Sequence, residues 1–241
     1  MKPVAILLAG HAPDAIRARH GDFPAWFIHA ARLPRSRVRV AHIADDEALP
    51  AIDTIAGAII TGSGAMVTDR LPWSERAASW IREAVDQALP LFGVCYGHQL
   101  MAHAMGGQVD YLPGGREIGT QLISRTDQAV TDRAGHALPA NFRAHTTHEQ
   151  SVLEAPAAAR VLARSARDPH QMLRYGTHAL STQFHPEFSA EVMRAYVLRK
   201  LADHPHADAL QLEVFRDTAA TPIARGVLRR FARRHGWSVS A

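Results

Sequence analysis

The stretch Leu91-Phe92-Gly93-Val94-Cys95-Tyr96-Gly97-His98-Gln99 is an apolar run that ends at the only cysteine of a 241-residue chain. A helical pattern follows at once, so the segment predicts a strand, a sharp turn and a helix. Glycine stands two positions to either side of Cys95, where a larger residue would strike neighbouring backbone. The thiol would lie at a helix N-terminus, whose free N–H groups and dipole stabilise a thiolate. The spacing indicates a nucleophile elbow that carries sulfur.

Cys95 alone leaves two interpretations open, because free cysteine is also among the most buried residue types and can be purely structural. A histidine that can act as its base would favour the interpretation of Cys95 as a nucleophile. The segment from Ala179 to Phe184 has the pattern of a strand and runs directly into His185-Pro186-Glu187. Residues two apart in extended chain share a face, so Glu187 can orient the His185 ring and stabilise its charged form. We therefore predict a catalytic triad of Cys95, His185 and Glu187.

The two motifs together resemble the class I glutamine amidotransferase family of the triad type. The resemblance is carried by Gly-Val-Cys-Tyr-Gly-His-Gln at 93 to 99 and by Gln-Phe-His-Pro-Glu-Phe at 183 to 188. With the overall spacing and Gly-Ser-Gly at 62 to 64, the chain looks most like the subgroup labelled GMP synthetase-like. The resemblance covers about residues 1 to 200 and implies a cysteine hydrolase that acts on glutamine.

Strand and helix patterns alternate along the first hundred residues, which predicts an α/β fold with an open, mostly parallel sheet flanked by helices. The resemblance implies the flavodoxin-like arrangement of the family. A β-rich stretch from Gln108 to Gln183 predicts a small additional β region, and the C-terminal residues predict a helical extension. We expect two parts, a catalytic domain over 1–203 and the extension over 204–241. We also expect a loop over Gly10 to Asp22 and a helix from Pro72 to about Ala88 with Ser74 as its cap.

The resemblance also implies an oxyanion hole. Its first donor is the amide of Tyr96, directly after the nucleophile. The third strand pattern ends in Gly62-Ser63-Gly64, and in the family this loop supplies the second amide, so the donor here is Ser63 or Gly64. The sequence departs from the commoner Gly-Gly-Pro or Pro-Gly-Pro, which leaves the choice between the two open. A plain tight turn is the other interpretation of this loop.

Substrate-binding residues follow from the same resemblance. Gln99 would help to hold the amino-acid end of glutamine. The segment from His145 to Val152 occupies the place of a loop whose backbone contacts the α-amino-acid group of the substrate. Family members often have glycine after the histidine of this loop, whereas this chain has charged and amide side chains, which changes the pocket and opens the question of the substrate. The candidate residues in the segment are His148, Glu149 and Gln150.

Composition and charge indicate which classes of partner the protein binds. The formal net charge is +4, and its local excess lies near the C-terminus. The excess comes from arginines, and apolar residues are interleaved with them at helical spacing. This pattern favours an amphipathic helix with a solvated basic face over a nucleic-acid site. A single cysteine forms no intrachain disulfide and fits the reducing cytoplasm, and no stretch has the ~20 apolar residues of a membrane span. We predict no metal, because His145 and His148 lack a third ligand motif, and no cofactor.

Three functions remain open. The first is a glutamine amidotransferase domain or subunit, which hydrolyses glutamine to glutamate and ammonia and passes the ammonia to a separate synthetase subunit. That partner is required because the sequence lacks the phosphate-binding loops of ATP-dependent synthetases. The second is a stand-alone γ-glutamyl peptidase that acts on a γ-glutamyl compound, and the third is a non-catalytic binding module. Contacts of the C-terminal extension make a homo-oligomer possible in any of them.

Overall fold

A nine-stranded sheet forms the centre of the protein in a computed structural model that describes residues 1–202 and 207–238, the backbone alone over 207–210. Two further strands, β5 and β8, pair separately. The strands are β1 Val4–Leu7, β2 Val38–Ala41, β3 Gly57–Ile60, β4 Leu91–Val94, β5 Gln108–Tyr111, β6 Glu117–Arg125, β7 Asn141–His148, β8 Gln150–Glu154, β9 Ala159–Arg164, β10 Met172–Tyr175 and β11 Ala179–Thr182.

The order of strands in the large sheet is β2-β1-β3-β4-β11-β10-β9-β6-β7. The first five strands run parallel, and the remaining four continue the sheet with antiparallel pairings. The predicted open, mostly parallel sheet is confirmed, and so is the small additional β region, formed by β5 and β8. Carboxyl ends of parallel strands meet at one edge, so whatever follows β3, β4 and β11 lies close together.

Helices cover both faces of the sheet and confirm the predicted layers. They are α1 Asp14–His20, α2 Phe23–Ala31, α3 Pro72–Asp86, α4 Tyr96–Ala104, α5 Asp127–Val130, α6 Ala190–Lys200, α7 Ala207–Asp217 and α8 Pro222–Arg234. Side chains of β1 alternate between two cores: Val4 and Ile6 pack on one face, Ala5 and Leu7 on the other. This period of two is what a strand buried on both faces requires.

Three local predictions were wrong. The segment expected to be a loop from Gly10 to Asp22 contains α1. Ser74 is not a cap, because Pro72 already begins α3; its buried hydroxyl instead accepts a hydrogen bond from Tyr96 Oη at 2.7 Å. The segment after His148, interpreted as part of a loop, forms β8 and pairs with β5, a partner too distant in the chain for a local pattern to show.

The C-terminal helix α8 is part of the main core. Its Val227, Leu228 and Phe231 are buried there, together with Trp237, which lies so close to Gly57 that a Cβ at that glycine would overlap the indole. The predicted boundary between 203 and 204 lies outside the described residues, and the division into two parts stays a prediction. Within the described residues, no helix combines the length and apolarity needed to cross a bilayer.

The basic face of α8 is less solvated than its pattern predicts. Arg225 donates to the carbonyl of Phe188 and Arg229 to the carbonyl of Ala30, each at 2.9 Å. Both arginines therefore fasten the helix to the rest of the protein. Among the arginines of α8, only Arg233 and Arg234 in its last turn are exposed.

Candidate active site

The backbone at Cys95 has the shape of an elbow. Cys95 joins β4 to α4 with φ 53° and ψ −105°, a conformation that costs a non-glycine residue energy and persists only where its surroundings enforce it. A Cβ at Gly93 would lie 2.6 Å from the carbonyl oxygen of Gly97, and one at Gly97 would overlap the carbonyl of Ile60. Both glycines are therefore required by close packing of the elbow against its own helix and against β3.

The neighbouring strand carries the candidate base. Cys95 N donates to the carbonyl of Thr182, the last residue of β11, at 2.9 Å, and His185 follows three residues later. The His185 ring is 2 % exposed; its Nδ1 lies 2.7 Å from Oε1 of Glu187, and Phe188 stacks on it at 4.1 Å. A ring held by a carboxylate on one nitrogen and by an aromatic face has its other nitrogen, Nε2, left for the thiol.

The electrostatics favour a charged pair. Burial alone would raise the pKa of the Cys95 thiol, but the charges of His185 and, to a smaller extent, His148 outweigh burial and lower that pKa below the ordinary 9.0. Burial would lower the pKa of His185, whereas the charges of Glu187 and Cys95 raise it to about 10. The lowered thiol pKa and the raised imidazole pKa both favour transfer of the thiol proton to the imidazole, which leaves a thiolate in a buried site.

The loop over 62–64 lies against this pair. A Cβ at Gly62 would lie 3.3 Å from Cε1 of His185, so the backbone of the loop packs closely against the ring of the candidate base. Ser63 and Gly64 line the same pocket as Cys95 and Tyr96, and the Ser63 hydroxyl accepts from Ala65 N at 3.1 Å. The residue after Cys95 and the two candidate residues of this loop therefore line one pocket together with the thiol. Their role as oxyanion donors stays a prediction.

Three of the four predicted substrate-binding side chains reach the pocket. Gln99, His148 and Glu149 line it, but Gln150 does not. The Gln150 side chain turns away and donates to the hydroxyl of Thr68 at 2.6 Å. Its main-chain carbonyl accepts instead from two pocket residues, Gln99 Nε2 at 2.6 Å and His148 Nδ1 at 2.9 Å. Gln150 therefore shapes the pocket through its backbone.

A buried network behind His148 was not predicted. Glu117 Oε2 lies 2.9 Å from His148 Nε2 and also accepts from Gln171 at 2.7 Å, while Asp168 Oδ2 lies 3.9 Å from the same ring nitrogen. Both ring nitrogens of His148 face acceptors, so the ring is an imidazolium. Burial would lower the pKa of His148, but the hydrogen bond to Glu117 and the charge of Asp168 raise it. Glu117 lies in a segment with the pattern of a strand, but nothing in the sequence indicated that it would pair with His148.

The mouth of the pocket is also charged in a way the motifs did not show. Arg116 forms an ion pair with Glu149, and Lys200 Nζ lies 3.6 Å from Glu149 Oε1. All three residues line the pocket and are partly exposed. Arg116 and Lys200 come from segments far apart in the chain, and no spacing in the sequence connects them.

Two groups of residues bring three metal-type ligands together among the described residues. Glu117, His148 and Asp168 place their atoms within 4.8 Å of one another, as do His11, His42 and Asp45 at the surface. In the first group, both nitrogens of His148 already donate hydrogen bonds, so the imidazolium itself supplies the positive charge that the carboxylates require. His145 lies on β7 with His148 but bonds to Thr120 at 3.1 Å, away from this cluster.

A free cysteine on an elbow between a parallel strand and a helix is the arrangement of a nucleophilic hydrolase. A family model described as glutamine amidotransferase class-I matches residues 25–204. The chain belongs to the class-I glutamine amidotransferase family, whose members are cysteine hydrolases.

Individual relatives agree with this family. The chain is 29% identical over 163 residues to γ-glutamyl peptidase 5 of Arabidopsis thaliana, an alignment that covers 65% of each chain. It is 32% identical over 153 residues to one subunit of the glutamine-hydrolysing GMP synthase of Methanopyrus kandleri, covering 61% of this chain and 74% of that protein. The crystal structure of a glutamine amidotransferase from Thermotoga maritima has the same fold, with a TM-score of 0.72, 18% identity and 98% of both chains covered. The chain spans just under two thirds of the length of the peptidase.

Proposed function

We propose that this protein hydrolyses the γ-amide of glutamine through a thioester on Cys95 and passes the ammonia to a separate acceptor enzyme. The observation that carries the proposal is the buried His185–Glu187 pair beside the elbow at Cys95, with the thiol pKa lowered and the imidazole pKa raised. A thiolate and a proton on the adjacent imidazole are the two reactants that cleavage of an amide needs.

The proposed chemistry begins with attack of the Cys95 thiolate on the γ-carbonyl carbon. The negative charge that develops on the carbonyl oxygen is held by the amide of Tyr96 and by that of Ser63 or Gly64. His185 gives its proton to the nitrogen as the carbon–nitrogen bond breaks, which releases ammonia and leaves the γ-glutamyl thioester. Water then loses a proton to His185 and attacks the thioester; glutamate leaves, and the thiolate and imidazolium are restored.

Family membership and the likeness to part of a GMP synthase support glutamine as the substrate and a separate synthetase as the partner. In such an arrangement the hydrolase needs no phosphate-binding loop of its own. The acceptor enzyme then determines when ammonia is needed. We expect this protein to hydrolyse glutamine slowly when the acceptor enzyme is absent.

A γ-glutamyl peptide is the second candidate substrate, and a specific feature favours it. Arg116 and Lys200 stand with Glu149 at the partly exposed mouth of the pocket that contains Cys95. Two cations at that place can bind the carboxylate of a departing peptide, whereas ammonia offers nothing to bind. The likeness to a γ-glutamyl peptidase agrees with this candidate.

One experiment separates these functions. Release of glutamate, ammonia and amino acid is measured with glutamine and with a γ-glutamyl dipeptide, for the wild type and for Cys95→Ala, His185→Ala and the control His103→Ala. His103 lies on the same helix as the elbow but pairs with Glu75 at 3.1 Å, outside the pocket. We expect Cys95→Ala and His185→Ala to lose about a thousandfold or more in kcat, and His103→Ala to keep the wild-type rate.

The ratio of the two substrates decides between amidotransferase and peptidase. Faster cleavage of glutamine supports the first, and faster cleavage of the dipeptide, weakened by Arg116→Gln, supports the second. A protein that turns over neither substrate, and whose Cys95 resists a glutamine-analogue electrophile, would be a binding module and would end the proposal.

A further inference from the structure

Four arginines converge on a second pocket at the other edge of the sheet. Gly176 and Thr177 belong to the turn between β10 and β11, at the end where β11 begins, whereas His185 follows the end of β11. The pocket therefore lies away from Cys95. Its volume is about 230 Å³, and its lining is Thr131, Asp132, Arg133, Arg160, Arg174, Gly176, Thr177 and Arg234.

The charge of this arginine pocket is unbalanced. Its lining has four guanidinium groups and one carboxylate, a formal net charge of +3. Asp132 is already engaged: it accepts from Nε of Arg174 at 3.2 Å and from Nη2 at 3.1 Å, and from Ala134 N at 2.8 Å. Arg174 is 6 % exposed, so this two-pronged pair forms the buried floor of the pocket.

The remaining arginines surround that floor. Arg160 reaches Asp132 only at 3.7 Å, and its Nη2 donates to the hydroxyl of Thr131 at 2.9 Å. Arg133 and Arg234 have no carboxylate within 4.0 Å among the residues the structure describes. Burial, followed by the charges of Arg133 and Arg174, lowers the pKa of Arg234, as expected where cations crowd one another. Like charges brought together repel, and a bound anion would relieve the repulsion.

We propose that the arginine pocket binds the phosphate group of a small molecule. Guanidinium groups match the geometry of phosphate oxygens with pairs of parallel N–H donors, and they bind phosphate more specifically than lysine does. The volume equals roughly seven or eight water molecules at about 30 Å³ each, enough for a phosphate or pyrophosphate group and too little for a macromolecular surface. The site is separate from the proposed hydrolysis of glutamine and does not depend on it.

The test is calorimetric titration of the full-length protein with inorganic pyrophosphate. We expect a Kd of about 1 mM or tighter for the wild type at low salt, weakening as salt is added. Arg133→Gln combined with Arg234→Gln should weaken binding about tenfold or more, because charge-assisted hydrogen bonds are lost. Both side chains are exposed, so folding should be unchanged, which thermal unfolding of the variant checks.

Arg233→Gln is the matched control, since it removes one charge from the same helical turn but lies outside the pocket. It should keep the wild-type Kd within about twofold. Absence of heat with the wild type, equal affinity in the double variant, or an equal loss in Arg233→Gln would overturn the proposal. Tighter binding of a single-stranded oligonucleotide than of pyrophosphate would overturn it too, because the ligand would then be a nucleic-acid backbone.

Discussion

The side chains of His148 and Glu117 meet in the interior, with Nε2 and Oε2 2.9 Å apart and each side chain 1 % exposed. The two residues are directly opposite each other on β7 and β6. Burial would raise the pKa of Glu117, but its hydrogen bonds, led by that to His148, lower the pKa instead. A buried pair of this kind holds one wall of the Cys95 pocket in place.

Replacing Glu117 by Gln should destabilise the protein by about 3 kcal/mol or more, because the imidazolium of His148 would lose its carboxylate in a buried site. The contribution of Glu117 is present above its unfolded pKa near 4.5 and is lost as pH falls through its lowered folded value. That of His148 is complete below 6.5 and is lost as pH rises through its raised folded value. The difference between wild type and variant should therefore be largest between pH 4.5 and 6.5.

Urea unfolding at several pH values measures this difference. Glu154→Gln is the control, because Glu154 is exposed and its carboxylate accepts from Gln108 Nε2 at 2.7 Å on the surface. The control should change the free energy of unfolding by less than about 0.5 kcal/mol. A pH-independent loss in Glu117→Gln would show that the pair is not ionised.

The thiol of Cys95 should be alkylated by iodoacetamide at a pH below the ordinary thiol value of 9.0, because His185 lowers its pKa. The thiolate fraction rises with pH, so the alkylation rate should rise through a midpoint below 9.0 and then level off. In His185→Ala, the charge that mainly opposes burial is removed and only the smaller effect of His148 remains, so the midpoint should move upward. The rate of modification of Cys95, followed by mass spectrometry, gives both midpoints, and equal midpoints would contradict the charged pair.

The oxyanion donor in the loop can be identified with a pair of variants at Gly64. A Cβ at this position meets nothing within 4 Å, so Gly64→Ala should be tolerated and keep its N–H. Gly64→Pro removes the N–H, and if Gly64 is the donor, kcat should fall about a hundredfold or more, or ~3 kcal/mol. A proline variant as active as the alanine variant would assign the donor to Ser63.

Trp237 should be essential for stability although it stands near the end of the described chain. Its indole is fully buried and packs against Gly57 of β3 and Phe231 of α8. Trp237→Ala should destabilise the protein by about 3–5 kcal/mol through the cavity left in the main core. Phe215→Ala, at a side chain that is 38 % exposed, is the control and should cost less than about half as much. Similar losses in the two variants would contradict the importance of Trp237 for the main core.

The strand, turn and helix around Cys95 were predictable because the sequence signals for them are local. Glycines two positions from Cys95, and a strand running into His185, each specify a turn through sterics that involve only nearby backbone. The parallel sheet then brings the two ends together at one edge. The start of α6 is local in the same way, because the hydroxyl of Ser189, directly before the helix, accepts from Val192 N at 3.2 Å.

The walls of the pocket were not predictable in this way. The partnership of Glu117 with His148 depends on the register between β6 and β7, and one residue of slippage would send either side chain to the other face. The arginine pocket likewise gathers residues from two loops, two strands and a helix. The sequence pattern assigns Arg234 only to a solvated face, because nothing near it in the chain indicates Arg174.

The carbonyl of Gln150 has a consequence for how this pocket can be altered. It holds the side chains of both Gln99 and His148, and it is a main-chain atom. Every amino acid offers the same oxygen, so position 150 can be randomised in a library without deleting these contacts. Removing one residue between 148 and 150 would displace the oxygen and release both side chains together. The length of this segment is therefore the property to change when the substrate selectivity of the pocket is redesigned.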